Sequence, residues 1–396
     1  TRADFDFDRG SNAAATRIGS DGLLKKYQEN LLLQSNNFGT TWTTSAASVT
    51  SGQSGYDSSS NAWLLNASSS ATESYVRQTT SASGVDSFSI YAKAGTADQL
   101  ALYIATSGAD VYSWFDLTNG TTGSGANHIN KTITAIENGW YRITLTGLNY
   151  DQRVDVYVAN ANGSFLSNSG DNIYIQSAQL ESGLVATDYL NSTSVTGKAG
   201  VLVDLPRINY DANGENGSLL LEPSRQQLVP YSEWFGASNW VKLGAGAGSV
   251  PVISHNYATS PEGVQNATRV QLNLNGGTSS SDQSLFYDDL GAKTGDFTRS
   301  VYIKSLTSDV DLYFGGTLTD KKIITATNEW QRFDFKSTLS AATLYATIGL
   351  RGTTGSSDSA DILVYGFQAE AGSYISSYIP NHGESGGVTR AADSCS

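Results

Sequence analysis

An ordered internal repeat narrows what this chain can fold into more than any other feature. The first half runs through "NLLLQSNNFGTTW", "SFSIYAKAG", "ENGWYRITL", "NIYIQSAQLESG" and "TDYL". The second half runs, in the same order, through "QLVPYSEWFGASNW", "DFTRSVYIKS", "TNEWQRFDF", "DILVYGFQAEAG" and "SSYIP". Landmarks pair across the halves: Leu31 with Leu228, Phe38 with Phe235, Trp42 with Trp240, Lys93 with Lys304, Trp140 with Trp330 and Arg142 with Arg332. Gln179 pairs with Gln368, Glu181 with Glu370 and Tyr189 with Tyr378. So many matches in one order predict two copies of one domain, each about 150 to 170 residues.

Between the landmarks, apolar residues alternate with polar ones. Phe88, Ile90 and Ala92 oppose Ser89, Tyr91 and Lys93; Tyr141, Ile143 and Leu145 oppose Arg142, Thr144 and Thr146. A period of two, broken by turn clusters such as "TNGTTGSGAN", predicts half-buried strands, and no segment shows a long helical period. The fold class is therefore all-β. Charged residues are only 15% and aromatics 10%, which is the opposite of a disordered composition.

The net charge of −13, without a Lys/Arg cluster, argues against nucleic-acid binding. Apolar runs are strand-sized, so no membrane insertion is expected. Cys395 is the one cysteine, which leaves no internal disulfide and no zinc framework. The chain has no Met, so it is either processed or a segment of something longer. His128, His255 and His382 fall in unrelated loops outside any hydrolase or metalloprotease motif. No catalytic residue is singled out and no organic cofactor is expected; the chain reads as non-enzymatic.

Aromatic side chains with polar neighbours are the candidates for sugar binding, because sugars offer apolar CH faces ringed by hydroxyls. In "ADVYSWFDL", Tyr112 and Trp114 sit two apart between Asp110 and Asp116. On a strand both point to one side, an aromatic platform if that side meets solvent and core if it does not. Trp63, Tyr257 and Tyr287 are further glycan-binding candidates in loops. Trp140 and Trp330, each followed two residues on by Arg, read as core because both copies keep them. Gln179/Gln368 and Glu181/Glu370 read as structural hydrogen-bonding residues for the same reason. Asp4, Asp6 and Asp8 share one side of an extended segment and form a candidate Ca²⁺ site. Arg9 stands where a calcium loop needs Gly and no Glu closes the loop, so a charge-protected strand edge competes with that reading.

Four stretches, "ATRIGSDGLL", "PRINYD", "LLLEPSRQQLVPYSEWF" and "SYIPNHGESGGVTRAAD", resemble signposts of a bacteriophage virion-protein family of fibres and decoration proteins. In that family a short lead and a hairpin surround jelly-roll domains similar to carbohydrate-binding modules. Gln368, Glu370 and Gly372 match its Gln-x-Glu-x-Gly ending, and Tyr378, Ile379 and Pro380 match Tyr-Ile-Pro, with Asn381 replacing Thr. The first copy departs from this pattern, with "DYLNST" in place of Tyr-Ile-Pro.

The resemblance implies a lead (1–28), jelly-roll domain 1 (29–196), a hairpin connector (197–224), jelly-roll domain 2 (225–382) and a tail (383–396). It implies a fibre or a capsid or tail decoration at the virion surface, assembled in the host cytoplasm. A structural spacer or cement protein, and the non-catalytic part of a polysaccharide depolymerase, are the alternatives. The implied partners are other virion proteins, copies of itself (a trimer favoured) and host-surface polysaccharide. A structural Ca²⁺ is compatible with such jelly rolls. Arg225, Tyr231 and Trp234 have no counterpart in the first copy and are the docking candidates, together with Pro223.

Overall fold

The computed structural model describes residues 7–10, 14–150, 153–203, 205–384 and 386–395. They form two compact units. One is continuous, Gln28–Ala199; the other is discontinuous, Thr1–Tyr27 with Gly200–Ser396. Among the described residues the regular structure is β, apart from one 3-10 turn at Glu137–Gly139.

The continuous unit is a sandwich of two six-stranded sheets. One orders Thr121–Ala126, Val111–Asp116, Gln99–Ala105, Arg153–Ala159, Tyr75–Thr79 and Thr43–Ser45. The other orders His128–Ala135, Trp140–Tyr150, Ser83–Ala94, Asn172–Ser182, Ala62–Ala67 and Ala47–Gln53. Their strand partners are antiparallel, and the chain crosses repeatedly between the layers, as a jelly roll does. Leu100, Leu102, Ile104, Val154, Val156 and Val158 of the first sheet meet Phe88, Ile90, Ile143 and Leu145 of the second in one core. The alternation read from the sequence is thus the inner and outer face of each layer.

The discontinuous unit repeats this plan with one change. The strands Gln283–Ser305 and Gln331–Arg351 each run through both layers, bending where the register slips near Asp289 and Lys293. Before the bend Gln283–Ser305 pairs with Val241–Ala245, and after it with Ser359–Ala371. Phe286, Phe297, Val301 and Ile303 therefore enter the same core from the two arms of one strand.

The repeated landmarks build the same bonds twice. In the continuous unit the Asn30 side chain donates to the carbonyls of Ala178 (3.1 Å) and Leu190 (2.8 Å) and accepts from the amides of Leu32 and Leu180. In the discontinuous unit Gln227 donates to Phe367 (2.9 Å) and Ile379 (3.1 Å) and accepts from Val229 and Ala369. Gln179 bonds Glu181 at 2.6 Å and Gln368 bonds Glu370 at 2.7 Å. Each glutamate caps a following turn, at Thr187 and at Ser376. Arg142 and Arg332 reach the carbonyls of those same two residues. Trp42 and Trp240 donate at 3.2 Å to the carbonyls of Gln34 and Tyr231. Both acceptors sit in left-handed backbone, at φ 49° and 47°.

The four signpost stretches meet in the discontinuous unit. Arg207 of "PRINYD" donates to the Thr16 carbonyl (3.0 Å), Glu222 (2.9 Å), Ser377 (2.9 Å) and Asp393. Arg390 pairs with Glu222 at 3.0 Å and donates to the Pro223 carbonyl at 2.7 Å. Arg9 lies 3.5 Å from Asp393. The side chains of Arg9, Arg207, Arg390 and Asp393 are fully buried. Short pairings reinforce the cluster: Phe7–Asp8 with Ser394–Cys395, Arg225–Gln227 with Val388–Arg390, and the hairpin Ile208–Asn209 with Ser218–Leu219. Lead, hairpin and tail segments thus bond to one another and to the second sandwich.

The chain leaves this unit after Tyr27 and rejoins it at Gly200. The two joints are adjacent: the Val201 amide donates to the Lys26 carbonyl at 3.3 Å. A Cβ on Gly200 would lie 2.1 Å from that same oxygen, and φ there is +78°, so the joint requires glycine.

Gln227→Ala would strand four buried backbone groups, and a loss of about 4 kcal/mol in urea unfolding of the discontinuous unit is expected. Burial alone would push the Glu222 carboxyl up, but Arg390, Ser377 and Arg207 outweigh it and hold its pKa below the ordinary value. A depressed folded-state pKa contributes stability above the unfolded carboxylate range and loses it as pH falls. Urea midpoints should therefore drop below about pH 4. Glu222→Gln should start lower at neutral pH and show a flatter profile.

Candidate functional site

The outer face of the sheet containing Gln99–Ala105 is built by register. Thr43, Arg77, Asp155, Tyr103, Tyr112 and Ala126 are direct neighbours across six strands. The next outward row is Ser45, Tyr75, Tyr157, Ala101 and Trp114. Alternation forces this arrangement: Leu100, Leu102 and Ile104 point to the core, so Ala101 and Tyr103 point away from it.

Ala101 is the low point between Tyr157 and Trp114, and Phe165 closes over it. The Phe165 ring centre lies 4.6 Å from Trp114, 4.8 Å from Tyr157, 5.5 Å from Tyr112 and 5.9 Å from Tyr103. The Trp114 indole N–H donates to the Ser164 carbonyl at 2.8 Å, which ties down the loop carrying Phe165. Trp114 and Tyr157 are buried, whereas Tyr75, Tyr103, Tyr112 and Phe165 are half-buried.

A polar clamp borders the aromatics. Arg77 makes a two-pronged pair with Asp155 (3.1 and 2.8 Å) while lying 4.1 Å from the centre of the Tyr75 ring. Arg153 approaches Asp155 at 3.4 Å and Tyr103 at 5.8 Å, and the Tyr157 hydroxyl donates to Asp155 at 3.2 Å. Burial raises the Asp155 carboxyl, with Arg77 acting against it. Burial, with Asp110 next, also raises the Tyr103 phenol, so it stays a neutral donor and acceptor. The arrangement offers apolar ring surface beside hydroxyl and guanidinium groups already held in place.

The discontinuous unit carries tyrosines on this face in another arrangement: Tyr287 packs on Tyr345 at 5.7 Å, and the Tyr313 ring lies 5.9 Å from Arg351. At the equivalent register stand Leu243, Leu285, Gly349, Tyr313 and Ile323. Tyr313 is 1% exposed and its hydroxyl is spent on the Thr317 carbonyl. A groove of about 410 Å³ in this unit is lined by Val250, Val252, Gln271, Asn273, Thr307 and Asp361 among others, with no aromatic side chain.

The predicted site residues therefore separate. Tyr112, Trp114, Asp110 and Asp116 belong to the aromatic face or its rim, but Trp114 is a covered floor and not an open platform. Asp110 accepts from the Thr106 amide, and Asp116 organises the turn at Thr118 and Asn119. Trp63 lies on the other sheet, edge-on to core Phe38, with its N–H on the Asn36 carbonyl. Tyr257 and Tyr287 are in the discontinuous unit: Tyr257 is exposed beneath Arg269, and Tyr287 packs on Tyr345. Trp140 is buried, whereas Trp330 is half-buried with its N–H on the Thr259 carbonyl.

The docking candidates find partners in their own unit. Arg225 lies 3.8 Å from Glu370 and 5.1 Å from the Tyr374 ring centre, and Tyr231 and Trp234 pack edge-to-face. Asp4 and Asp6 lie outside the described residues; Asp8 caps the Gly10 amide. Among the described residues no three His, Cys, Asp or Glu side chains gather as a metal site. Tyr75, Arg77, Tyr103, Arg153, Asp155, Tyr157 and Phe165 were not singled out from sequence. The signal for four of them is that "QLALYIA" and "RVDVYVA" place Tyr103, Arg153, Asp155 and Tyr157 at alternate, outward positions between apolar residues.

No protein-family model matches the sequence, and no curated protein matches it. Solved structures similar to it include the N-terminal CBM22-1–CBM22-2 tandem domain of Paenibacillus barcinonensis Xyn10C. That match has 11% identity and a TM-score of 0.28, and covers 92% of this chain and 100% of that one. The Clostridium thermocellum Xyn10B CBM22-1–GH10 modules match at 16% identity and a TM-score of 0.22, over 37% of this chain and 27% of theirs. The exo-β-1,3-galactanase of Phanerochaete chrysosporium matches at 10% identity and a TM-score of 0.20, over 82% of each chain. Likenesses this distant carry no inference about activity or ligand.

Phe165→Ala should uncover Trp114. The expected outcome is a loss of about 2 kcal/mol in stability of the continuous unit. A red shift in tryptophan emission should accompany it and be absent in a Trp114→Phe background.

Proposed function

We propose that this chain is a non-enzymatic phage virion protein, a fibre or a capsid or tail decoration. In this reading the outer tyrosine face of the continuous unit contacts host-surface glycans. One observation carries the binding proposal. Tyr75, Tyr103 and Tyr112 are half-buried on one sheet face beside the fixed Arg77–Asp155 pair, whereas at the matching row of the second copy Tyr313 is buried between Gly349 and Ile323.

The virion assignment rests on the resemblance of the signpost stretches, which supply Arg207, Glu222, Arg390 and Asp393 of the buried ion cluster. A homo-oligomer, with a trimer favoured, follows from the same resemblance. The aspartates of the face and its rim, Asp155, Asp110 and Asp116, outnumber Arg77 and Arg153, which fits a neutral sugar better than an acidic one.

The test is a bacterial surface-glycan array probed with the full chain. Wild type should be retained on a restricted set of neutral oligosaccharides. Tyr103→Ala and Tyr112→Ala should each weaken retention about tenfold, the scale of one lost ring–sugar contact. No retention on any glycan would leave the spacer or cement reading in its place. Release of reducing ends from capsule would favour the depolymerase reading.

A further inference from the structure

The discontinuous unit holds a buried polar cluster that the glycan reading does not use. The strand Leu24–Asn30 is laid against the loop after Thr259 by a bond from the Leu24 amide to the Pro261 carbonyl at 2.9 Å. This places Lys26 Nζ 2.5 Å from Glu262 Oε1 and 3.1 Å from Glu233 Oε1. The three side chains are 14%, 9% and 1% exposed. The hydroxyls of Tyr365 (2.9 Å) and Tyr378 (3.0 Å) donate to Glu233 Oε1, so that carboxylate is held in place from three sides. Glu262 is held less firmly: Asn266 and Lys26 stand against its carboxyl, but its buried Oε1 receives no donor in hydrogen-bond geometry.

We propose that Lys26 and Glu262 condense within the folded chain to an amide between Nζ and Cδ, a covalent clasp from the lead to the second sandwich. Glu233 is the proton acceptor. It takes a proton from the Lys26 ammonium, and the free amine adds to the protonated Glu262 carboxyl. Glu233 then passes its proton to the departing hydroxyl and recovers one from the new amide nitrogen. One Nζ–Cδ bond forms, one Cδ–O bond breaks and one water leaves, with no change of oxidation state. Glu233 ends the step carrying the proton that began on Lys26.

Three features favour the step. Burial raises the Glu262 carboxyl to about 7, with the neighbouring Lys26 acting against it, so a protonated acid is present near neutrality. Burial pulls the Lys26 pKa down, but Glu233 and Glu262 outweigh it and raise it, so the amine must be released by transfer inside the site. A neutral amide also removes the desolvation cost of burying the charged lysine and carboxylate, and the reacting groups are already in contact.

Intact mass spectrometry of the full chain, purified natively and then denatured, tests the proposal. Wild type should be lighter than its sequence mass by one water. Trypsin should fail to cut after Lys26 and should yield one branched species joining residues 26–77 to residues 243–269. Lys26→Arg and Glu262→Ala should each restore the full mass. Glu233→Gln, which keeps both reacting groups, should restore it too or slow the loss of water at least tenfold. Folded wild type at full mass, with normal cleavage after Lys26, overturns the proposal. So does a missing water that maps to residues 18–25, where Asp21–Gly22 can close to a succinimide.

Discussion

The discontinuous unit depends on the burial of opposite charges drawn from distant parts of the chain. Arg207 and Arg390 share Glu222, and Arg207 and Arg9 share Asp393. Removing either carboxylate would leave guanidinium charge uncompensated away from water, which costs far more than a surface pair contributes. The cluster therefore specifies where the lead, the hairpin and the tail must lie. It is also why short segments, too small to bury a core alone, have defined positions.

A second constraint is neutral and is used in both units. A single buried amide, Asn30 in one and Gln227 in the other, bonds four backbone groups where the first strand segment passes the last. A Gln–Glu pair two residues apart then fixes the turn that follows. With these bonds in place the sheet faces are free to vary. The continuous unit sets three half-buried tyrosines around an arginine–aspartate pair on its outer face; its relative packs Tyr287 on Tyr345 there and buries Tyr313.

Much of this was legible in the sequence because a repeat separates scaffold from surface. Phe38/Phe235 and Trp42/Trp240 are core in both units, and Gln179/Gln368 with Glu181/Glu370 are internal hydrogen-bonding pairs, as their recurrence indicated. The aromatic face was only half legible. Tyr112 and Trp114 declare a shared side, but Tyr103, Tyr157 and Arg77 join them only through register across strands, which local periodicity does not encode. Nor does it encode cover: Trp114 is closed off by Phe165, about fifty residues later. The Lys26–Glu233–Glu262 cluster was invisible for the same reason, since its members belong to three separated segments and no motif links them.

The adjacency of the two joints at Lys26 and Val201 has a consequence for how such a chain can change. A body that leaves and returns through neighbouring positions behaves as a cassette. Its removal or replacement asks the host sandwich only to reconnect two points already within hydrogen-bonding distance. Recombination at those points would exchange the outward-facing tyrosine face while the ion cluster and its surrounding segments stay as they are. Gly200, which admits no side chain, marks one of the two places where such an exchange would have to be cut.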